Sequence, residues 1–379
     1  MISFSPGEDL SSFQEALRDF AAGELRPNLR HCEEKGEVDP ALIGAWLALS
    51  VNGASYPEDL GGLGMDLRAA AVLNEEVAWG DIGLAYALPG IDAAGWALKL
   101  LGNEEQQQRL VPKHLDSRTS LALLEPLPGF ELTDTFTFAE EVEGGYKLWG
   151  RKAFVLNAGI ADLTIVVATL DPERSLGGLR AFVIEGQPPE MNAGEREKLL
   201  GLETALFADL GLEGVFVPAE NVLEGGDDFA TALYNLIDHL RVITAARVVG
   251  ACRAALDHAA KYSTERVAFG KPLHEHQAMA FMLAEMATSV DQIRWQVWRA
   301  AWALDTQLPE AHTYAATALH LAGEISDRVT SQAVQVLGGH GFIQDHPVEK
   351  WMRDTRTAVI VSGLDGFLLQ EMADTVIHG

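Results

Sequence analysis

An α+β multidomain chain, with an N-terminal helical domain, a middle antiparallel β domain of barrel-like character and a C-terminal four-helix bundle, is what the sequence predicts. Two observations carry that prediction. The apolar periodicity changes from helical to strand-like and back along the chain, and 379 residues, 48% of them hydrophobic, exceed what one ordinary core holds. The changes in texture divide the chain into 1–118, 119–226 and 227–379.

Each element has its own local reason. Leu10, Phe13, Leu17, Phe20 and Ala21 keep the i, i+3, i+4 spacing of an amphipathic helix, which Pro27 is placed to stop. Asp39 and Pro40 cap and start the next helix. Helical patterns continue through "LRAAAVLNEEVAWG" and "IDAAGWALKLLGNEEQQQRLVPKHL", broken by the glycine-rich loop "YPEDLGGLGMD". In the middle section "YKLWGRKAFVLN", "LTIVVATL", "LRAFVIEG" and "VFVPAENVL" are short β-branched or aromatic runs between Gly, Pro and Asp turns, which is strand chemistry. From about Asp227 the pattern is helical again over segments long enough for a bundle.

Composition narrows the partners. The chain carries 28 Lys+Arg against 55 Asp+Glu, a formal charge of −27, with the acidic residues spread along its length. Nucleic acid and anionic membrane are therefore excluded as expected partners. No run reaches the uncharged length of a membrane span. The two cysteines, Cys32 and Cys252, have no His/Cys spacing around them, so neither a disulfide framework nor a metal site is expected. The acidic, amphipathic start lacks signal- or transit-peptide character, and the expected location is the cytoplasm.

One stretch raises a functional question. "AVQVLGGHGFIQDHPVEKWMRD" sets Gly338, Gly339 and Gly341 beside Gln335. Backbone without Cβ atoms lets a ligand come close, and free N–H groups suit a phosphate. A helix C-cap followed by a turn accounts for the same residues.

The order of textures, together with "YPEDLGGLGMD", "GNEEQQQRLVP", "LGLETALFADLGLEGVFVPAEN", "YSTERVAFGKPLHEHQ" and "AVQVLGGHGF" followed by "HPVEKWMRD", resembles the acyl-CoA dehydrogenase family over essentially the whole chain. The resemblance implies FAD as cofactor and an acyl-CoA thioester as substrate. It assigns Arg266 to the FAD diphosphate, as a guanidinium fork facing anionic oxygens suits. Phe269 packs beside it, Gln277 follows, and Gln335, Gly338, Gly339 and Gly341 approach the diphosphate and adenosine part. Asp238 and Arg241 match positions near CoA and the active site. Met279, Phe281 and Met282 are candidates for an acyl pocket, though apolar residues at helical spacing are core more often than pocket.

Other positions depart from the family pattern. The family's base is a glutamate that takes the α-proton while the β-hydrogen leaves as hydride to the flavin. The two family positions for it hold Ser362 and Leu240 here. A serine hydroxyl is too weak an acid to replace a carboxylate without a partner base; Asp365 is the nearest carboxylate in sequence. Leu124 and Phe130 replace the threonine and serine of "TEP.AGSD", although Glu125, Pro126 and Gly129 remain. Phe154 keeps an aromatic surface in the "W.T" pair, whereas Leu156 lacks the hydroxyl. Glu203, Ala205 and Phe207 stand for the Arg, Ser and Thr of "G.R.S.T".

The losses fall on one half of the family's cofactor site. The resemblance implies that the "TEP" and "W.T" motifs hold the flavin ring of their own subunit, while the "R..FG" and glycine segments reach a neighbour's FAD. The expectation is a base-lacking subunit of a heteromeric enzyme, in a heterotetramer with a homologous catalytic subunit and otherwise a homotetramer. A base-independent flavoenzyme of desulfinase or flavin-dependent oxygenase type, and a non-catalytic binding protein of the same fold, are the alternatives.

Overall fold

The computed structural model describes residues 8–379 apart from 91–92, 128–130, 365–367, 370–371, 374–376 and 378–379. Gly129, Phe130 and Asp365 lie outside the described residues. Among the described residues seven α-helices come before the first strand: α1 (Glu8–Phe20), α2 (Arg26–Lys35), α3 (Pro40–Leu47), α4 (Leu67–Gly80), α5 (Ile82–Ala87), α6 (Ala93–Leu101) and α7 (Glu104–His114). Caps set their starts. The Asp66 carboxylate accepts the Ala69 amide at 2.8 Å ahead of α4, and Asn103 and Gln106 form a reciprocal capping box on α7.

Pro27 does not stop the first helix, contrary to the expectation. A single π turn, Ala21–Leu25, runs on into α2, which carries Pro27 in its first turn. The run stays helical because the Arg26 amide reaches back five residues to the Ala21 carbonyl, and that wider turn comes just before the proline, which has no N–H to donate.

The middle section forms β1 (Thr119–Ala122), β2 (Phe138–Val142), β3 (Gly145–Leu156), β4 (Leu163–Thr169), β5 (Leu179–Glu185), β6 (Met191–Arg196), β7 (Phe207–Pro218) and β8 (Val222–Leu223). Their order is β6-β7-β3-β2-β4-β5-β8, with β1 beside β4. The sheet is mixed and open, where a wholly antiparallel, barrel-like one was expected. β1 enters from the helices and runs parallel to β4, with Thr119 opposite Leu163 and Ala122 opposite Val166. At the other end β6 buries Met191 but is otherwise mostly exposed and polar, an open edge.

The C-terminal section is a bundle of α8 (Phe229–Glu265), α9 (Gln277–Asp305), α10 (Ala311–Leu337) and α11 (Val348–Ser362). Between α8 and α9 lies a small hairpin of β9 (Val267–Ala268) and β10 (Lys271–Pro272). The 37 residues of α8 make a rod about 55 Å long. Its small residues, "ITAARVVGACRAA", let α4 and α10 pack closely on it, and they are buried together in the main core. Charge also ties these layers. Glu75 and Glu76 on α4 receive Arg253 of α8, Arg294 of α9 and, at 2.9 Å, Arg18 of α1.

A second ionic junction joins all three sections. Lys350 of α11 is fully buried and donates at 2.6 Å to both Asp81, ahead of α5, and Asp354 one turn on. Asp354 also accepts the Leu202 amide at 2.7 Å from the loop between β6 and β7. The two carboxylates surround the ammonium and raise its pKa despite burial, which pulls the other way.

Candidate functional site

A cleft of about 110 Å³ opens where α5, α6, β1, β3 and the start of β7 meet one stripe of α8 and the end of α11. The stripe is Leu240, Ile243, Thr244 and Arg247, spaced i, i+3, i+4, i+7 so that all four face one way. Phe154 reaches the cleft through a break in the β3–β7 register between Lys152 and Val155, with φ at +49°. Such a bulge re-aims a side chain that regular alternation would send elsewhere. Behind it the strand is locked, because buried Lys152 donates to Glu125 at 2.6 Å and to the Leu123 carbonyl at 3.1 Å. Burial lowers the Lys152 pKa to about 8.

Leu240 and Ser362, the two positions where a base was sought, line this same cleft. Leu240 offers hydrocarbon. Ser362 Oγ donates to the Val359 carbonyl at 2.6 Å and accepts the Leu364 amide at 3.2 Å, so its hydroxyl serves the end of α11. No carboxylate stands among the described residues lining the cleft.

Asp238 and Arg241 sit elsewhere on α8. Both are buried; Arg241 Nη1 donates to Asp238 at 3.2 Å, and His312 Nδ1 lies 3.0 Å from both Asp238 oxygens. Asp238 belongs with Thr231, Tyr234 and Asn235 to a stripe on the opposite side of the helix, lining an open groove of about 880 Å³. Arg241 lies between the two stripes, with Nε 3.4 Å from the carbonyl of Leu364, a residue of the cleft.

The remaining candidates gather at the far end of the bundle. Arg266 ends α8, Phe269 tops the β9–β10 hairpin and Gln277 opens α9. Gln335 is in the last turn of α10, followed by Gly338 and Gly339. Tyr262 of α8 links the two segments, its hydroxyl 2.8 Å from His340 Nδ1. Gly338 takes φ +57°, and a methyl on Gly341 would strike the Val334 carbonyl, so both glycines answer local geometry as well. Arg266, Phe269, Gln277, Gln335, Gly338 and Gly339 are exposed, and Gly341 is buried. Phe269 is 98% exposed at φ +52°, a left-handed conformation unusual for an aromatic residue. Met279 and Met282 are partly buried against the main core and Phe281 is exposed; none of the three lines the cleft.

Distance separates the two groups. Arg266 lies 19 residues beyond Arg247 on the same helix and its cap, about 28 Å along the axis. The five-carbon ribityl chain of one FAD does not bridge that span, so a ring in this cleft and a diphosphate at this Arg266 cannot belong to one molecule. The ring end is also a poor fit for a flavin. Its edge is a row of carbonyl and N–H groups that need partners, but on the β-domain side Leu123, Leu124, Leu156 and Phe207 present carbon, and the cleft's polar side chains all come from the helices. Leu124 further packs so closely on Gly363 that a methyl there would strike both its Cδ atoms. The other end suits an anion, with a guanidinium, glycine backbone and two side-chain amides exposed together.

Sequence reasoning missed the polar part of the cleft. Tyr86 of α5, Trp96 of α6 and Thr244 and Arg247 of α8 all line it. Arg247 is the single charged residue among the described liners. The signal was present in "VITAARVVGA", where one arginine interrupts an otherwise uncharged, buried run.

Comparison with known proteins places this geometry. Models of the N-terminal, middle and C-terminal domains of acyl-CoA dehydrogenase match residues 7–118, 120–215 and 228–377. A short-chain-specific acyl-CoA dehydrogenase of Megasphaera elsdenii is 34% identical over 359 residues, 93% of each chain. A cyclohex-1-ene-1-carbonyl-CoA dehydrogenase of Geobacter metallireducens is 32% identical over 355 residues, 92% of this chain and 93% of its own. The solved butyryl-CoA dehydrogenase of Megasphaera elsdenii superposes with a TM-score of 0.91 at 30% identity, covering 99% of this chain and 100% of that one.

Proposed function

Because the chain belongs to the acyl-CoA dehydrogenase family, an FAD-dependent family, across all three of its domains, we propose that it serves α,β-dehydrogenation of an acyl-CoA as a subunit that completes the FAD site of a homologous catalytic partner. The observation that carries this reading is the division along α8. The anion-suited end with Arg266, Phe269 and the glycine segment is intact and faces outward, while the cleft about 28 Å away has no carboxylate among its described lining residues and meets a flavin edge with Leu124 and Leu156 where the family carries hydroxyls.

In this role Arg266 holds a diphosphate oxygen pair of the partner's cofactor, and Gln335 with the backbone at Gly338 and Gly339 takes the neighbouring polar atoms. Bound FAD supplies the hydride-accepting flavin, and the partner supplies the ring pocket and the base. Phe269 covers the cofactor and excludes water there. The assembly is an α2β2 tetramer, a closed symmetric form, in the cytoplasm.

Co-expression with a homologue that carries a glutamate at either family position, followed by native mass spectrometry and flavin absorbance, tests the reading. The expected result is one FAD per heterodimer, with none retained by this chain alone. A yellow homotetramer of this chain with one FAD per subunit would overturn it and favour the base-independent flavoenzyme.

A further inference from the structure

Three histidines meet where the glycine segment is tied to α8. His258 Nε2 of α8 lies 3.0 Å from Nδ1 of His346, in the loop ahead of α11. The His346 ring stacks at 16° and 5.7 Å, centre to centre, on His340, which stands between Gly339 and Gly341. His340 Nδ1 meets the Tyr262 hydroxyl at 2.8 Å, and the Tyr262 carbonyl accepts the Arg266 amide at 2.9 Å. One chain of contacts therefore runs from within the bundle to Arg266. The loop is pinned from α2, since Arg30 donates to the Gln344 and His346 carbonyls, both at 3.0 Å. Among the described residues no three His, Cys, Asp or Glu side chains are placed to hold a metal ion, so these rings meet one another rather than a shared ligand.

The inner ring is held neutral. Burial lowers the His258 pKa to about 4, and the charges around it oppose a proton as well: any charge on His346, Arg26 of α2, and Lys261 one turn on along α8. Carboxylates nearby are engaged elsewhere. Asp257 takes the Trp79 indole N–H at 2.8 Å, and Glu349 of α11 takes Arg30 and Arg353. Asp345, the loop's own carboxylate, is exposed. Trp351 of α11 flanks His258 with a ring contact at 6.0 Å. A neutral His258 offers its Nε2 lone pair, so a protonated His346 donates Nδ1–H to it without breaking their contact. Stacking then limits the count, because two parallel imidazolium rings repel while one beside a neutral ring does not. The proton belongs to the pair rather than to either ring.

We infer that His340 and His346 are a proton-loaded part of the grip on an anion: a diphosphate bound at the glycine segment beside Arg266 draws a proton onto this pair and is held more tightly as pH falls from 8 to 6. The identity of the ligand rests on the function proposed above; the proton linkage rests on the three rings. Charge supplies the reason. A diester diphosphate carries one negative charge on each phosphate, Arg266 supplies one positive charge, and the chain as a whole stands at −27. Histidine is the side chain whose charge changes in this pH range, and His340 lies within the anion-suited segment itself. Anion and proton favour each other reciprocally, as any two coupled ligands do.

Isothermal titration of the full-length chain with millimolar ADP-ribose at pH 6, 7 and 8, each in two buffers of different ionisation enthalpy, tests this. ADP-ribose carries the adenosine and diester diphosphate of FAD without its ring, and its phosphates do not titrate in this range. Binding is expected to be about 5- to 10-fold tighter at pH 6 than at pH 8, with net proton uptake at pH 7. His340→Gln and His346→Gln each keep a hydrogen-bonding side chain that cannot be charged, and each is expected to cut that ratio below about 2-fold. Circular dichroism checks that the variants are folded, and the wild-type comparison needs none of them. Equal affinity at pH 6 and 8 overturns the inference and leaves the diphosphate reading standing. Persistence of the full ratio in both variants overturns it in the same way. Binding unchanged by Arg266→Ala, with its pH dependence intact, supports the histidine pair and overturns the role given to Arg266. No binding at any pH overturns the inference, and the subunit reading is then judged by the flavin content of the co-expressed pair.

Discussion

At the scale of single residues, Phe269 shows a conflict between local comfort and outward display. It precedes Gly270 in the two-residue turn between β9 and β10, and both have positive φ, at +52° and +85°. Asn, Asp or Gly is the usual choice at such a first position. Phe269→Asn is therefore expected to stabilise the isolated chain by about 0.5–1 kcal/mol in urea unfolding, through relief of backbone strain. The same change is expected to weaken assembly with the partner, read as a lower heteromer fraction in native mass spectrometry. His239 gives a second prediction. Burial against Trp96 lowers its pKa to about 4, and its Nδ1 lies 2.7 Å from the Asn235 carbonyl. Above pH 6.5 the ring is neutral whether the chain is folded or not. As pH falls from 6.5 toward 4, the unfolded chain takes up a proton that the folded chain refuses, so stability is lost on acidification. The full difference is about 3 kcal/mol. His239→Gln is expected to lose about 2–3 kcal/mol less than wild type between pH 7 and 4.5, measured by urea unfolding at each pH. What was legible at this scale followed sequence spacing: Leu240 and Ser362 were singled out from motif frames, and both line one cleft. Tyr86 and Arg247 were not, because they belong to no motif and meet only through the packing of α5 on α8.

Elements were most legible where periodicity runs long, as in α8, α9 and α10. They were least legible where a local rule had two outcomes. Proline can end a helix or be carried within a helical run, and Pro27 is carried, because the π turn ahead of it shifts the register. The direction of β1 was likewise hidden, since strand composition says nothing about whether the neighbour in space runs parallel. α11 also does more than its amphipathic pattern reveals, because its Lys350 is the cation for two buried carboxylates. Lys350→Met is expected to destabilise the chain by about 3–5 kcal/mol, since Asp81 and Asp354 would then share a dry site without a counter-charge. Thermal or urea unfolding measures it. The triple variant Lys350→Met, Asp81→Leu, Asp354→Leu should recover part of the loss, although the Leu202 amide would still lack its acceptor.

For the whole molecule, the three-part architecture was open to reading because each part changes the hydrophobic period. The assembly was less open, as exposure belongs to the folded surface. Phe269 at 98% and Phe342 at 80% exposed each lie in one of the two anion-suited segments, and their exposure could be read only from the folded surface. The Lys350 junction also bears on how the polypeptide is made. Asp81 and Lys350 are 269 residues apart, and the Leu202–Asp354 bond spans 152. During synthesis at about 5–20 residues per second, Asp81 waits on the order of 13–54 s for its cation to be made. Until then the first part of the chain carries a carboxylate that burial would penalise, and α4 lacks the Arg253 and Arg294 partners that neutralise Glu75 and Glu76. A fragment ending at residue 226 is therefore expected to be cut within its first 118 residues by trypsin under conditions that leave the full chain intact. Resistance of that fragment equal to the full chain's would show that its core closes without the later helices. Such long-range closure makes the nascent chain a client for holding factors, with α11 acting as the latch for the early helices.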